Sequence, residues 1–180
     1  MRELLADAWR LFADNPGLHI TSALFVLLGS VLTLGLAAAP LVVGYIRLVD
    51  RVRRGEPGEA REVLDGLAHF GAAFITGLIQ TVAVLAGAVI VVLPGLVVAC
   101  VTAYALWFVA LQDLPPLSAI GAAWDLARRN APSLLLILLM TVALNLVGAL
   151  VVVGLLVTLP LSLLLMTVGF HHLAPAPVSR

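Results

Sequence analysis

Residues 130–179, NAPSLLLILLMTVALNLVGALVVVGLLVTLPLSLLLMTVGFHHLAPAPVS, run for 50 residues without one Asp, Glu, Lys or Arg. A spanning helix needs roughly 20 apolar residues, so this stretch holds two helices and a tight turn. Two further uncharged stretches, 66–112 and 15–46, have 47 and 32 residues. All twenty formal charges fall within 2–14, 47–65 and 113–129 or at Arg180. A charge at mid-bilayer costs about 2.5–3.5 kcal/mol on insertion scales and little beside the bilayer. The pattern therefore predicts an all-α integral membrane protein with six hydrophobic helices. Composition agrees: 62% of residues are hydrophobic and 11% charged, against about 45–50% and about 25% in soluble domains.

One unit is expected to repeat three times, at about 1–54, 58–112 and 116–173, with 174–180 as a short tail. Ala8-Trp9-Arg10-Leu11 and Asn15-Pro16 precede the first apolar run; Ala123-Trp124-Asp125-Leu126, Asn130 and Pro132 precede the last. Trp to Asn is six residues in both. Each run then reaches a proline, at Pro40, Pro94 and Pro160. Each unit reads as an amphipathic interfacial helix followed by a hairpin of hydrophobic helices whose turn the proline marks. In the first amphipathic segment Leu4, Leu5, Ala8, Trp9, Leu11 and Phe12 share a face at helical spacing. That suits a helix lying in the headgroup region, with Trp9, Trp107 and Trp124 as interfacial anchors.

The first apolar segment, about 23 residues from Gly17, exceeds the roughly 7–15 of a signal-peptide core, so it is expected to stay as a mature helix. The first gap is short for two spans. Its second helix is expected to run from Leu41 through Arg54, with Arg47 snorkelling, and to stop at Gly55-Glu56-Pro57-Gly58. With six helices, both termini and both charged loops fall on one side, and so do all ten arginines. By the positive-inside rule that side is the cytoplasm, and the location is the inner membrane. A thiol at Gly58 should be labelled only from there, and Cys100, the sole cysteine, should lie in the outer half of the membrane.

Zero net charge offers no basis for a nucleic-acid partner. No motif asks for a cofactor, and no His or Cys spacing suits a metal. The deep polar residues are Gln80 and Asn145, which suit hydrogen bonds between helices or the lining of a pathway. Gly95, Ala99 and Ala103 form a small-residue stripe that lets helices approach. The hydroxyls lack an acid–base partner and can bond back to their own helices. The 47–65 loop carries five arginines and five acids, which reads as a self-paired helix end.

Gly44…Leu48…Arg53-Arg54-Gly55-Glu56-Pro57, then Leu64-Asp65-Gly66-Leu67 and Phe70, Pro94-Gly95, and Ala123-Trp124…Arg129-Asn130 resemble a widespread group of uncharacterised bacterial polytopic membrane proteins. The same residues are similar to the membrane domain joined to some glycerophosphodiester phosphodiesterases. The resemblance implies a six-helix inner-membrane bundle. It implies no catalysis, because the phosphodiesterase site belongs to a separate soluble domain. The function expected is therefore a non-enzymatic scaffold or partner subunit working through helix packing, with the lipid bilayer, a membrane-protein partner or a homo-oligomer as its contacts. The alternative is a transporter or channel for an uncharged or lipidic substrate lined by Gln80 and Asn145.

Overall fold

The computed structural model describes residues 2–90, 98, 102–149 and 155–174. Among them the chain is helical, without a strand: α1 (Arg2–Asp14), α2 (Pro16–Leu32), α3 (Ala38–Arg53), a 3₁₀ helix η1 (Ala60–His69), α4 (Phe70–Ile90), α5 (Ala105–Gln112), α6 (Pro116–Arg129), α7 (Ala131–Ala149) and α8 (Leu155–Leu173). Asn15 and Asn130 end the helices before them, and Pro16 and Pro132 sit in first turns, where a missing N–H costs nothing. The chain turns sharply at Asn15, where α1 and α2 meet at 92°, and again at 113–115, where α5 and α6 meet at 118°.

Of the three prolines that the sequence places at turns, the structure places Pro40 and Pro160 inside helices. The first turn spans 33–37, with Leu34 and Gly35 at positive φ, and Pro40 falls in the first turn of α3. Proline is tolerated there, which is why it marks a start rather than a reversal. Pro160 sits within α8. Pro94, Gly95, Ala99 and Cys100 lie outside the described residues. The stop after α3 falls where the sequence predicts, with Gly55 at φ +80°.

η1 is a ten-residue 3₁₀ helix, long for that geometry, and its sequence explains it. Residues three apart eclipse in such a helix. Val63 and Gly66 are buried and Ala60 and His69 half-buried in one row, while Arg61, Leu64, Leu67 and Phe70 form an exposed row. At its start Glu59 and Glu62 form a reciprocal cap.

α3 is the centre of the molecule and packs against α2, η1, α4, α5 and α8. Val43 and Ile46 belong to a cluster with Tyr104, Trp107, Phe108 and Phe170. Leu41, Tyr45, Leu48 and Val49 belong to a second cluster with Phe12, Val63, Ile137 and Leu164. α2, α4 and α7 instead turn large apolar side chains outward, among them Phe25, Leu28, Leu32, Ile75, Leu78, Val82, Leu135, Leu139 and Val142. The amphipathic elements also follow an order. η1 packs on α3 and α2, α6 packs on α5 and α4, and α1 packs on α8.

Only Ala60–Leu85, of 26 residues, is by itself long and apolar enough to cross a membrane among the described residues. Up to three crossings result if each bent pair is one span. The 17 residues of α2 and 16 of α3 reach about 26 and 24 Å at 1.5 Å per residue, short of the roughly 30 Å hydrocarbon core. The shortness of the first hairpin is the one expected from its 32-residue uncharged gap.

Candidate functional site

Polar side chains gather at two places. One is a chamber of ≈320 Å³ between α2, α7 and α8. Its walls are mostly aliphatic, with Ala23, Val26, Leu27 and Leu163 among them, and Asn145, Thr141, Ser162 and Ser30 supply the polar atoms. Asn145 Nδ2 donates to the Thr141 carbonyl at 2.8 Å and to Ser162 Oγ at 2.7 Å. A carbonyl only accepts, so this contact fixes which way the amide faces. Asn145 Oδ1 and Thr141 Oγ1 are buried atoms without a hydrogen-bond partner among the described residues. No formal charge lines the chamber.

The structure does not bring Gln80 to this place. Gln80 is half-buried on α4 and is not part of the chamber wall. Ala103 is buried. The close approaches between elements that the structure does describe fall on glycines instead. A Cβ on Gly44 would meet the Val63 carbonyl oxygen, and one on Gly66 would meet the Pro40 carbonyl and the Gly44 backbone. One on Gly148 would meet Thr158.

The tryptophans divide. Trp9 and Trp124 are 57% and 48% exposed. Trp107 is 3% exposed, and its Nε1–H donates to Thr167 Oγ1 at 3.0 Å. It is a packing residue between α5 and α8 rather than an anchor, because a buried indole takes an internal acceptor.

The second place is the charged end. Arg47 Nε donates to the Ala110 carbonyl at 2.7 Å, and its guanidinium pairs with Asp113. The arginine that the sequence leaves to snorkel thus ties α3 to the end of α5. Asp113 sits in the left-handed region at φ 51°, which aspartate tolerates better than most residues. Asp50, 7% exposed, lies 2.5 Å from Arg54 Nη1 and 2.7 Å from His171 Nε2 on α8. Arg51 pairs with Glu56 and Glu62 at 3.2 and 2.8 Å. Hydrogen bonds from Arg54 and then Arg51 hold the Glu56 carboxyl below its usual range. Asp7 and Arg10 of α1, Arg53 of α3 and His172 of α8 line one small cleft. Of these contacts, Arg47–Asp113, Arg51–Glu62 and Asp50–His171 link α3 to the end of α5, to η1 and to α8. Among the described residues no three His, Cys, Asp or Glu side chains converge as metal ligands.

Sequence reasoning missed the role of His19. It is fully buried; its Nε2–H donates to the Leu11 carbonyl at 3.2 Å, which leaves Nδ1 to accept from the Tyr45 hydroxyl at 3.0 Å. The ring therefore joins α1, α2 and α3 at the 92° bend.

No protein-family model matches this chain, and neither does any curated protein or solved structure.

Proposed function

We propose that this chain is a non-enzymatic integral inner-membrane protein of bacterial type, acting as a scaffold or partner subunit through helix packing. The observation that carries the reading is the filled centre. Phe170 of α8 lies 4.9 Å from Phe108 and 5.7 Å from Tyr104, and Tyr104 lies 5.5 Å from Trp107, by ring centroids. A centre closed by aromatics packed edge-to-face and tilted favours a solid bundle over a conduit. The ionisable groups work as helix ties at one end, where no nucleophile–base pair accompanies them among the described residues.

In this reading α2, α3, α4, α5, α7 and α8 are the six membrane helices, with α2, α4 and α7 facing lipid. The short lengths of α2 and α3 are met by local thinning of the bilayer and by charged ends at the interface. α1, η1 and α6 lie in the interface. Exposed Leu5 and Trp9, Leu64 and Leu67, and Leu117 and Trp124 support this. The three-unit repeat draws support from the packing order, in which each amphipathic helix docks beneath the preceding hairpin and the first docks on the last. The charged end is cytoplasmic, and both termini with it. The likeness to the bacterial polytopic group fits the same architecture.

The test is native mass spectrometry of the protein released gently from its own membranes. A fixed homo-oligomer or a stoichiometric second membrane protein is expected. A monomer that moves an uncharged solute across proteoliposomes, and loses that flux in the Gln80→Leu/Asn145→Leu double variant, would overturn the reading in favour of transport.

A further inference from the structure

We propose that the pocket between the ends of α5, α6 and α8 binds a free α-amino acid with an apolar side chain, its carboxylate on Arg129 and its ammonium on Asp125. The pocket measures ≈430 Å³, near the small end of the about 300–1,000 Å³ that ligand sites span. Buried Phe108 and Leu126 and half-buried Leu173 give it an apolar floor. Exposed Asp125 and Arg129, with half-buried Gln112, give it a polar rim.

The charge of the ligand follows from the two ionic side chains. Asp125 and Arg129 stand four residues apart on α6, where side chains are neighbours, and both line the pocket. Neither joins an ion pair among the described residues. A carboxylate and a guanidinium side by side at one rim match a ligand whose ammonium and oxyanion are close together. The Arg129 fork takes a carboxylate on two parallel N–H donors, and an ammonium brings three donors to Asp125. A simple anion would set its charge beside Asp125, and a simple amine beside Arg129. The floor then selects the body, because an apolar side chain laid on it leaves water.

The repeat supports a cleft that belongs to the way these helices dock. Setting Trp9 on Trp124 sets Asp7, Arg10 and Leu11 on Ala122, Asp125 and Leu126, and each trio lines the cleft beside its own helix. Val168 and His172 of α8, in the α1 cleft, have the spacing of Phe108 and Gln112 of α5. At ≈180 Å³ the α1 cleft is the smaller of the two.

The source of the ligand is water. Ala122, Asp125, Leu126 and Arg129 recur at three- and four-residue steps, and exposed Leu117 and Trp124 fall on a different face of α6. On α5 and α8 the lining is confined to Phe108, Gln112, Leu173 and Ala174, at the ends of those helices. An acyl chain therefore has no track to follow. A phosphoethanolamine headgroup shares the zwitterionic chemistry but not this access. The side of entry rests on the membrane reading; the scaffold test, which reads oligomeric state, is separate.

The experiment is saturation-transfer difference NMR on the full chain in phosphatidylcholine nanodiscs, with leucine as the probe. Saturation is expected to reach leucine, most strongly at its methyl groups. Glycine, 4-methylpentanoate and isoamylamine, which lack the apolar body, the ammonium and the carboxylate in turn, should displace it about tenfold less well than isoleucine. Asp125→Asn and Arg129→Gln should each weaken leucine binding about tenfold, the change for losing one charged hydrogen bond, with thermal unfolding checked in parallel. Arg128→Gln, outside the pocket lining, should change nothing. Adding phosphatidylethanolamine to the nanodiscs should leave the leucine signal intact; its loss there would assign the pocket to a lipid headgroup and overturn the proposal. So would no transfer to leucine, equal competition by isoamylamine or 4-methylpentanoate, or a signal that survives both substitutions.

Discussion

At Gly44 and Gly66 two backbones touch, and neither can yield. An added methyl at either position meets main-chain atoms of the other element, so relief requires moving η1 bodily away from α3. Gly44→Ala or Gly66→Ala should cost about 1–3 kcal/mol, the range for overpacking. Gly71→Ala meets nothing within 4 Å and should leave stability unchanged or raised by about 0.5 kcal/mol. Thermal unfolding in one detergent, run on all three variants, checks the contrast. His19→Leu strips partners from the Tyr45 hydroxyl and the Leu11 carbonyl, at about 1–3 kcal/mol. In a Cys100→Ala background, a thiol at Ala8, which is fully buried, should react with maleimide in the His19→Leu variant and stay protected otherwise. Deep Asn145 was legible, because an amide in an apolar run stands out. The His19 contacts were not, since a histidine near a helix start reads as interfacial until Tyr45, 26 residues on, is seen beside it.

Among the elements, the amphipathic helices were the most legible. Period and breaker agree in α1 and α6: apolar residues recur at three and four, then Asn and Pro follow. Their exposed tryptophans make a direct test. Single-Trp variants retaining Trp9 or Trp124 should be quenched strongly by lipids brominated near the headgroup, and a variant retaining Trp107 should be quenched least. Equal quenching of all three would remove the interfacial placement. η1 was harder to read, because its three-residue period emerges only once Val63 and Gly66 are seen facing α3. Pro40 misled for a physical reason: proline fits a helix's first turn as well as a reversal, and Gly35 makes the actual bend, whereas Pro160 lies inside α8, beyond its first turn. The α3–η1 connection carries a pH dependence. The Glu56 carboxyl is held below its ordinary range in the folded protein, so its pairing is fully present above the usual glutamate value of about 4.3. It is lost as pH falls through the depressed folded value. A nitroxide at Ala60 should gain mobility in that acid window, and Glu56→Gln should show the gained mobility already at pH 7.

For the molecule as a whole, the distribution of charge told the most. Clusters separated by uncharged runs set the helical class, and charges of α3 now pair with Asp113 after α5, with Glu62 of η1 and with His171 of α8 at one end. What the runs could not supply was depth, because 17- and 16-residue helices are set by where the chain bends rather than by where charges stop. Orientation is tested by labelling. Gly58 is a poor site for the thiol, since a Cβ there would meet Leu48 at 2.5 Å. Arg61, exposed on the outer row of η1, serves instead. In the Cys100→Ala background, Arg61→Cys should react with an impermeant maleimide only after the cytoplasmic face is opened; reaction in intact cells would invert the topology.

The packing of α1 on α8 sets a timetable for biogenesis. A ribosome delivers α1 first and α8 last, so the first helix waits without its partner while more than 140 residues are made. Through that interval its Ala8 and Phe12 face must rest on lipid headgroups or an insertion factor, as exposed apolar surface in an unfinished chain otherwise invites aggregation. A nascent chain arrested before Leu155 would be unable to close the ring of contacts. It would display an undocked N-terminal helix that a membrane protease could use to tell an incomplete copy from a finished one.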